Sequence, residues 1–144
     1  MTRFWTMAVT LALTPLLLAQ DSDEGFVRIT PDELEWTARP GGSEFVYLHG
    51  DSQSEGIYVM RNKFLPGAFS APHYHDQDRF ITVISGVWYT GSGPSGDRED
   101  TVPLGPGSYM MHPAGAVHYD GAIEEEVIVE IRGMAPVQTI FVEE

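Results

Sequence analysis

Short apolar runs alternate with turn-forming residues along most of the chain from position 44 onward. In the run at 57–64 the apolar residues are separated by Arg61 and Lys63, a pattern that indicates a half-buried β-strand. Similar runs, rich in β-branched and aromatic residues, occupy positions 45–48, 81–89, 126–131 and 137–142. We count about eight to ten strands and no long helix. The pattern predicts an all-β fold, either a barrel or a double-sheet roll.

The segments between these runs carry turn-forming residues. Gly86 lies inside the run at 81–89 and predicts a hairpin or a kink there. Residues 91–100 combine glycine and charge without a core pattern, which predicts a surface loop. Before the first run, Thr30, Pro31 and Glu33 predict one brief helical turn with threonine as its cap. No internal repeat is visible, so we expect a single domain.

Composition narrows the partners that this domain could have. The chain has 144 residues, enough for one domain with a proper core. Asp and Glu total 21 against 8 Lys and Arg, a formal net charge of -13. This surplus argues against nucleic acid or an anionic membrane as a partner, because both would repel the domain. The sequence contains no cysteine, which excludes disulfides, thiolate zinc sites and a cysteine nucleophile.

The N-terminal segment has the pattern of a secretory signal peptide. Arg3 precedes an apolar stretch that ends at Ala19, and residues 21–24 are abruptly acidic. The stretch is short for a membrane span and is interrupted by Pro15, so an uncleaved anchor is the weaker alternative. We therefore expect residues 1–20 to be removed and residues 21–144 to form the mature domain. That domain is predicted to be periplasmic or secreted, without stable membrane association.

Two histidines stand out in the segment 67–86. His73 and His75 lie just before the strand-like run 80–84. Successive side chains of a strand point to opposite faces, so both imidazoles should share one face. Two imidazoles on one face supply half of a metal site. The alternative is that hydrogen bonds alone satisfy both histidines.

A second segment, 107–118, supports the metal interpretation. It contains a strand-like run, a predicted turn and then a histidine. Together the two segments resemble the signature motifs of the cupin family, which are a glycine followed by HxH, a glutamate and a glycine, and a glycine followed by PxG and a histidine. The matching positions are Gly67, His73, His75 and Gly86 in the first motif, and Gly107, Pro113, Gly115 and His118 in the second.

The resemblance carries expectations about fold and ligands. It covers the chain from position 41 onward and implies a cupin-type jelly-roll β-barrel. It also implies His73, His75 and His118 as ligands of one divalent transition metal, and imidazole suits Fe, Mn, Zn, Ni or Cu. Gln77 is a candidate fourth ligand, because it shares the strand parity of the histidines and some cupins use a glutamine. Jelly-roll domains often pair through a sheet edge, which predicts a homodimer.

The chain departs from the family pattern at one position. Arg79 stands where the first motif has its glutamate, and a guanidinium cannot bind a cation. If strand parity is kept, Arg79 faces the cavity. There three neutral imidazoles leave the charge of the metal uncompensated, and the arginine would help to bind a substrate anion. The alternative is that Arg79 turns outward and pairs with Asp76 or Asp78.

A fourth histidine, His112, ends the strand-like run just before the second turn. It either faces the barrel, as a donor to the site or a further ligand, or lies at a strand end with solvent on one side. The pattern does not separate these alternatives. His49 lies outside both motifs and is predicted to be structural.

The resemblance also suggests a reaction class. Cupins with three histidines and no glutamate resemble the diketone-cleaving and thiol dioxygenases. This predicts an exported metal-dependent oxidoreductase for a small anionic or enolisable molecule, with Arg79 and His112 as catalytic residues. One alternative is a non-catalytic metal- or ligand-binding module. Another is a non-oxidative isomerase, lyase or hydrolase, for which His112, Asp76 and Asp78 are the candidate bases.

Overall fold

The computed structural model of the protein describes residues 25–142, which form an antiparallel β-structure with two short 3₁₀ helices. The helices span Pro31–Glu33 and Arg98–Asp100. The strands are β1 (Thr37–Arg39), β2 (Ser43–His49), β3 (Gly56–Phe64), β4 (His73–His75), β5 (Arg79–Ser85), β6 (Trp88–Ser92), β7 (Val102–Leu104), β8 (Tyr109–His112), β9 (His118–Gly121), β10 (Val127–Ala135) and β11 (Thr139–Phe141).

The strands form two sheets. One has six strands in the order β1-β2-β3-β10-β5-β8, and the other has five in the order β11-β4-β9-β6-β7. Strands that neighbour each other in a sheet are mostly distant in sequence, as β3 and β10 are, so the chain passes repeatedly from one sheet to the other. This is the double-sheet roll that the hydrophobic pattern predicts, and the all-β, jelly-roll prediction is confirmed.

The core lies between the sheets and follows from alternation along the long strands. In β3 the side chains of Tyr58, Met60, Asn62 and Phe64 are buried, while the alternate residues Val59, Arg61 and Lys63 are more exposed. In β10 the same period buries Val127 and Val129. Because strand side chains alternate between faces, this pattern fixes which face of each sheet points inward. Arg79 and the site histidines belong to the inward set.

Gly86 forms a crossing between the sheets rather than a hairpin. Strand β5 belongs to the six-stranded sheet and β6 to the five-stranded one, so the chain kinks at Gly86 and leaves its first sheet. The predicted surface loop is shorter than the segment 91–100, because β6 continues to Ser92 and a 3₁₀ helix begins at Arg98. The brief turn after Thr30 is confirmed, and the Glu33 carboxylate accepts a hydrogen bond from the Thr30 amide at 2.7 Å.

The predicted signal peptide and its weaker alternative, an uncleaved anchor, both stay predictions. Residues 1–20, the predicted signal peptide, lie outside the described residues. Within residues 25–142 no helix is both long and apolar enough to cross a membrane.

We expect Gly86→Ala to be strongly destabilising. Gly86 has a φ of 74°, and an added Cβ would collide with the carbonyl oxygen of Glu126. Backbone strain and the collision together should lower the free energy of unfolding by about 2–4 kcal/mol, measured by urea titration. Gly93→Ala is the matched control, since Gly93 has a φ of 91° but open space around its Cβ position. Equal losses in the two variants would show that the collision contributes nothing.

Candidate metal centre

Strand pairing brings together the three histidines of the two motifs. Strands β4 and β9 are antiparallel neighbours, and His73 lies directly opposite His118. His75, two residues from His73, shares its face, as alternation predicts. The ring centroids of His73 and His118 are 4.4 Å apart, and one potential ligand nitrogen of each of the three rings lies within 4.8 Å of the others. All three residues are buried.

Hydrogen bonds that the rings donate to backbone carbonyl groups fix the tautomer of each ring. Nδ1 of His73 lies 2.8 Å from the carbonyl oxygen of Ala71, and Nδ1 of His118 lies 2.9 Å from that of Ala116. Nδ1 of His75 lies 3.2 Å from the carbonyl oxygen of Gln138. A carbonyl can only accept, so each Nδ1 carries the proton and each Nε2 keeps a free lone pair. This is the arrangement that orients imidazoles toward a metal.

Burial keeps the rings of His75 and His118 neutral, which is the state that binds a metal. Burial lowers the pKa of His75 to about 2, and the positive charge of Arg79 adds to the effect. Burial also lowers the pKa of His118 to about 4. Nε2 of His118 is buried without a hydrogen-bond partner among the described residues. An unpaired buried lone pair is costly, and a divalent cation would satisfy it, so the three histidines fit a metal ion.

Arg79 faces this cluster. Its Nη1 donates to Nε2 of His75 at 2.6 Å, and its Nη2 lies 3.8 Å from the sulfur of Met60. Its Nε is buried and has no partner within the described chain. The structure therefore places the guanidinium inward, as strand parity suggests. A cation at His75 requires Arg79 to release this nitrogen first.

The two aspartates considered as partners of Arg79 have other roles. The Asp78 carboxylate accepts a hydrogen bond from the amide of Ala114 at 2.8 Å, within the second-motif turn. The Asp76 carboxylate accepts one from the amide of Gln138 at 2.8 Å. Both carboxylates thus stabilise loops around the site. Arg79 does not turn outward to pair with either of them.

His112 faces the barrel interior rather than solvent. It is directly opposite Arg79 in the pairing of β5 with β8, and its ring centroid lies 3.7 Å from that of His118. Only 5% of the residue is exposed, and its Nε2 is buried without a partner among the described residues. Burial, together with His118 and Arg79, lowers the pKa of His112 to about 2. His112 is therefore a neutral imidazole beside the cluster.

Asp120 is a site residue that the sequence analysis missed. It lies two residues after His118 on β9, so its carboxylate shares the face of that histidine. The ligand atoms of His112, His118 and Asp120 all lie within 4.8 Å of one another. Burial raises the pKa of the Asp120 carboxyl group, while the positive charge of Arg79 opposes the rise. The HxD spacing at 118–120 is the same signal as the HxH at 73–75, and it could have been found.

Gln77 and His49, the two remaining residues considered in the sequence analysis, both lie outside the histidine cluster. Gln77 is exposed in the bend after β4 and does not line the cavity, so the structure does not bring it to the imidazoles. Strand β4 ends at His75, and parity does not extend to Gln77. His49 is exposed at the end of β2, away from the cluster.

The cluster opens into a cavity of about 900 Å³ between the sheets. Its inner wall is apolar, and includes Tyr58, Met60 and Trp88. Two arginines, Arg79 and Arg39, line it. Arg39 donates to the side-chain oxygen of Asn62 at 3.0 Å. A concave, largely apolar cavity with a few convergent polar groups is typical of a small-molecule site.

Comparison with known proteins agrees with this architecture. The polyketide cyclase RemF from Streptomyces resistomycificus aligns with a TM-score of 0.66 at 19% identity, over 83% of this chain and 88% of that one. A sugar phosphate isomerase of the cupin superfamily from Silicibacter pomeroyi aligns with a TM-score of 0.61 at 21% identity, over 82% and 83%. An oxalate oxidase aligns with a TM-score of 0.60 at 20% identity, over 85% and 68%.

These identities are low, so the structural matches show a shared fold and not a shared activity. No curated protein sequence is significantly similar to this chain. The model of the ChrR cupin-like domain, in contrast, matches residues 24–137, which is most of the sequence. The chain therefore belongs to the family of ChrR cupin-like domains.

Proposed function

We propose that this protein is a metal-dependent enzyme acting on a small anionic or enolisable molecule. The observation that carries the proposal is a cluster of three buried imidazoles, two of which, His73 and His75, line a cavity that Arg79 also lines. When bound by His73, His75 and His118, a divalent first-row ion would supply Lewis acidity or, if it is iron, oxygen chemistry. The reaction class that we favour is dioxygenase-like.

The charge of the cavity supports an anionic substrate. Arg79 and Arg39 line it, and Asp120 is the one acidic residue among the described residues that do so. A divalent cation would add two further positive charges. Positive charge buried beside apolar walls needs a compensating anion, and a substrate carboxylate or enolate would supply one. The domain as a whole is acidic, with a formal net charge of -13, so this positive cavity contrasts with its surface.

The residues of the chain have distinct tasks in this proposal. Arg79 would bind the substrate, because a guanidinium can donate two parallel hydrogen bonds to a carboxylate. Engagement with the substrate would draw Nη1 away from His75. The wall formed by Met60, Trp88 and Ile131 would exclude water around the reacting atoms. His112, neutral and buried, can exchange a hydrogen bond with the substrate at Nε2.

Oxygen uptake by iron(II)-loaded protein tests the proposal. We expect uptake with at least one class among β-diketones, small thiols and phenolic acids. In Arg79→Met, which keeps a long side chain without charge, we expect KM to rise by about 30-fold or more, since one partner of a buried charge pair is lost. Uptake that stays flat across all three classes would contradict the dioxygenase-like assignment. Tight binding of one small acid without turnover would instead indicate a non-catalytic module.

A non-oxidative isomerase, cyclase or lyase is the second candidate. One observation favours it: His112 and Asp120 line the same cavity and provide an imidazole and a carboxylate close to the substrate, the kinds of group that proton transfer requires. The structural relatives include a cyclase and an isomerase as well as an oxidase. Conversion of an enolisable substrate under nitrogen, at the same rate as in air, would select this candidate.

We infer in addition that the enzyme acts outside the cytoplasm, in the periplasm or as a secreted protein. The support is the sequence pattern of residues 1–20. A homodimer formed through a sheet edge is likewise a proposal. Edge strands β1, β7, β8 and β11 offer unpaired backbone groups for it.

A further inference from the structure

We propose that the cavity contains a second metal-binding position, formed by His112, His118 and Asp120, which shares His118 with the three-histidine set. The proposal goes beyond the proposed activity. It depends on that activity only in requiring that the cavity bind a divalent cation.

The geometry of the three side chains is that of a ligand set. Their candidate ligand atoms all lie within 4.8 Å of one another. The residues are 5%, 4% and 6% exposed, in the order His112, His118 and Asp120. They come from neighbouring segments of the site, the end of β8 and the start of β9, on either side of the second-motif turn. Two imidazoles and one carboxylate leave open coordination positions on a first-row ion.

The Nε2 atoms of both histidines in this set lack a hydrogen-bond partner among the described residues, whereas Nε2 of His75 in the three-histidine set is engaged. Nε2 of His112 and Nε2 of His118 are both buried and have no hydrogen-bond partner among the described residues. Nε2 of His75, in contrast, accepts a hydrogen bond from Arg79 at 2.6 Å. One lone pair cannot accept that bond and bind a metal at the same time. While Arg79 holds His75, the second set is the better ligand set.

Charge favours the second position as well. The three-histidine set is neutral and leaves the ion uncompensated, beside a guanidinium. Asp120 contributes a buried negative charge when ionised, and a cation and a buried carboxylate each offset the cost of burying the other. Asp120 on β9 therefore provides a carboxylate to the site, although Arg79 replaces the glutamate of the family motif.

The two positions exclude each other, because His118 has one free nitrogen. Its Nδ1 is bonded to the carbonyl of Ala116, so His118 can bind an ion in one position at a time. Arg79 then selects between them: release of His75, for example to a substrate anion, makes the three-histidine set available. The protein would therefore hold one ion with two alternative ligand sets.

Titration of metal-free protein with Co²⁺ tests this proposal in a His73→Ala background, which removes the first set and leaves the second intact. We expect His73→Ala to retain one Co²⁺ with a visible absorption spectrum that differs from that of the wild type, because the ligands differ. Adding Asp120→Asn, which conserves shape, should weaken Co²⁺ binding by about 100-fold, measured by competition with a chromophoric chelator. Adding Glu125→Gln instead removes an exposed carboxylate and should change the affinity by less than about 2-fold.

The outcomes separate this proposal from the proposed function. Equal Co²⁺ affinity in His73→Ala with and without Asp120→Asn would overturn the second position. Tight binding by the wild type that His73→Ala abolishes would also overturn it, while leaving the three-histidine enzyme intact. A wild type that binds no Co²⁺ would overturn both. If the Asp120→Asn double variant does not fold, as judged by circular dichroism, His73→Ala with His112→Gln replaces it, and the same 100-fold loss is expected.

Discussion

Replacing His118 with alanine is expected to abolish tight metal binding. His118 belongs to both ligand sets, and its Nε2 is buried without a partner among the described residues. Loss of this nitrogen leaves only two ligands in either position. We expect the affinity for Zn²⁺ to fall by about 1,000-fold or more, a larger effect than for any ligand that serves one set alone.

Elemental analysis of untagged protein after dialysis, together with chelator competition, measures this effect. His49→Ala is the matched control, because His49 is an exposed histidine outside the cavity, and it should retain the metal content of the wild type. His118→Ala that keeps stoichiometric metal at wild-type affinity would refute the assignment of His118. The same result would remove the basis for both ligand sets.

Acid is expected to destabilise the metal-free protein well above the pH at which carboxylates protonate. Burial holds the pKa of His75 and of His112 at about 2 and that of His118 at about 4, against 6.5 for an ordinary histidine. Below pH 6.5 these three histidines therefore bind protons in the unfolded chain but stay unprotonated in the folded protein. The stability associated with the neutral rings is fully present above pH 6.5. It declines as the pH falls toward 4, where His118 begins to accept its proton, and further toward 2.

The expected size of this effect is large. Each histidine that is protonated only in the unfolded state changes the free energy of unfolding by about 1.4 kcal/mol per pH unit, so three of them together contribute up to about 4 kcal/mol per unit. Urea titrations at a series of pH values below 6.5, in the presence of a chelator, measure the slope. His112→Gln should reduce it by about a third. A slope that is the same in wild type and variant would show that His112 is not buried as a neutral ring.

Asp120 is expected to make the metal-free protein more stable, rather than less stable, as the pH falls. Burial raises the pKa of its carboxyl group above 3.8, so the folded protein holds a proton there that the unfolded chain has released. This contribution to stability is present below pH 3.8 and is lost as the pH rises through the raised value. The histidine effect and the Asp120 effect therefore oppose each other in the acid range, and Asp120→Asn should make the acid loss of the apoprotein steeper.

Local pattern was enough to predict the strands and the positions of the motif residues. Alternation along β3 and β10 follows directly from the sequence, because a strand with one buried face must alternate. For Arg79 the pattern left two directions open, inward and outward, and β5, which begins at that residue, places it in phase with the buried Ile81. Whether Gly86 turned a hairpin or crossed between sheets could not be predicted, because that depends on which distant strand pairs with β6.

The site was harder to predict where geometry depends on a strand end or on a long-range contact. Strand parity predicts that Gln77 faces the site, but β4 ends at His75. Just after that end, the Asp76 carboxylate accepts a hydrogen bond from the amide of Gln138, which is distant in sequence. Asp120 was missed although its spacing from His118 carried the signal, since the family motif ends at that histidine. The contact between Arg79 and His75 joins residues four apart across a bend, and no periodicity predicts it.

The short strand β11 has a consequence for the dynamics of the site. Thr139 is paired with His75, and the carbonyl of Gln138 and the hydroxyl of Thr139 each lie 3.2 Å from Nδ1 of that ring. β11 has only three residues and lies at the edge of its sheet, where strands open most readily. Each opening of this strand would release the ring from its orientation. Because linked equilibria are reciprocal, an ion bound through His75 would in turn suppress the opening, so fraying at one sheet edge and the affinity for the ion are linked in a single equilibrium.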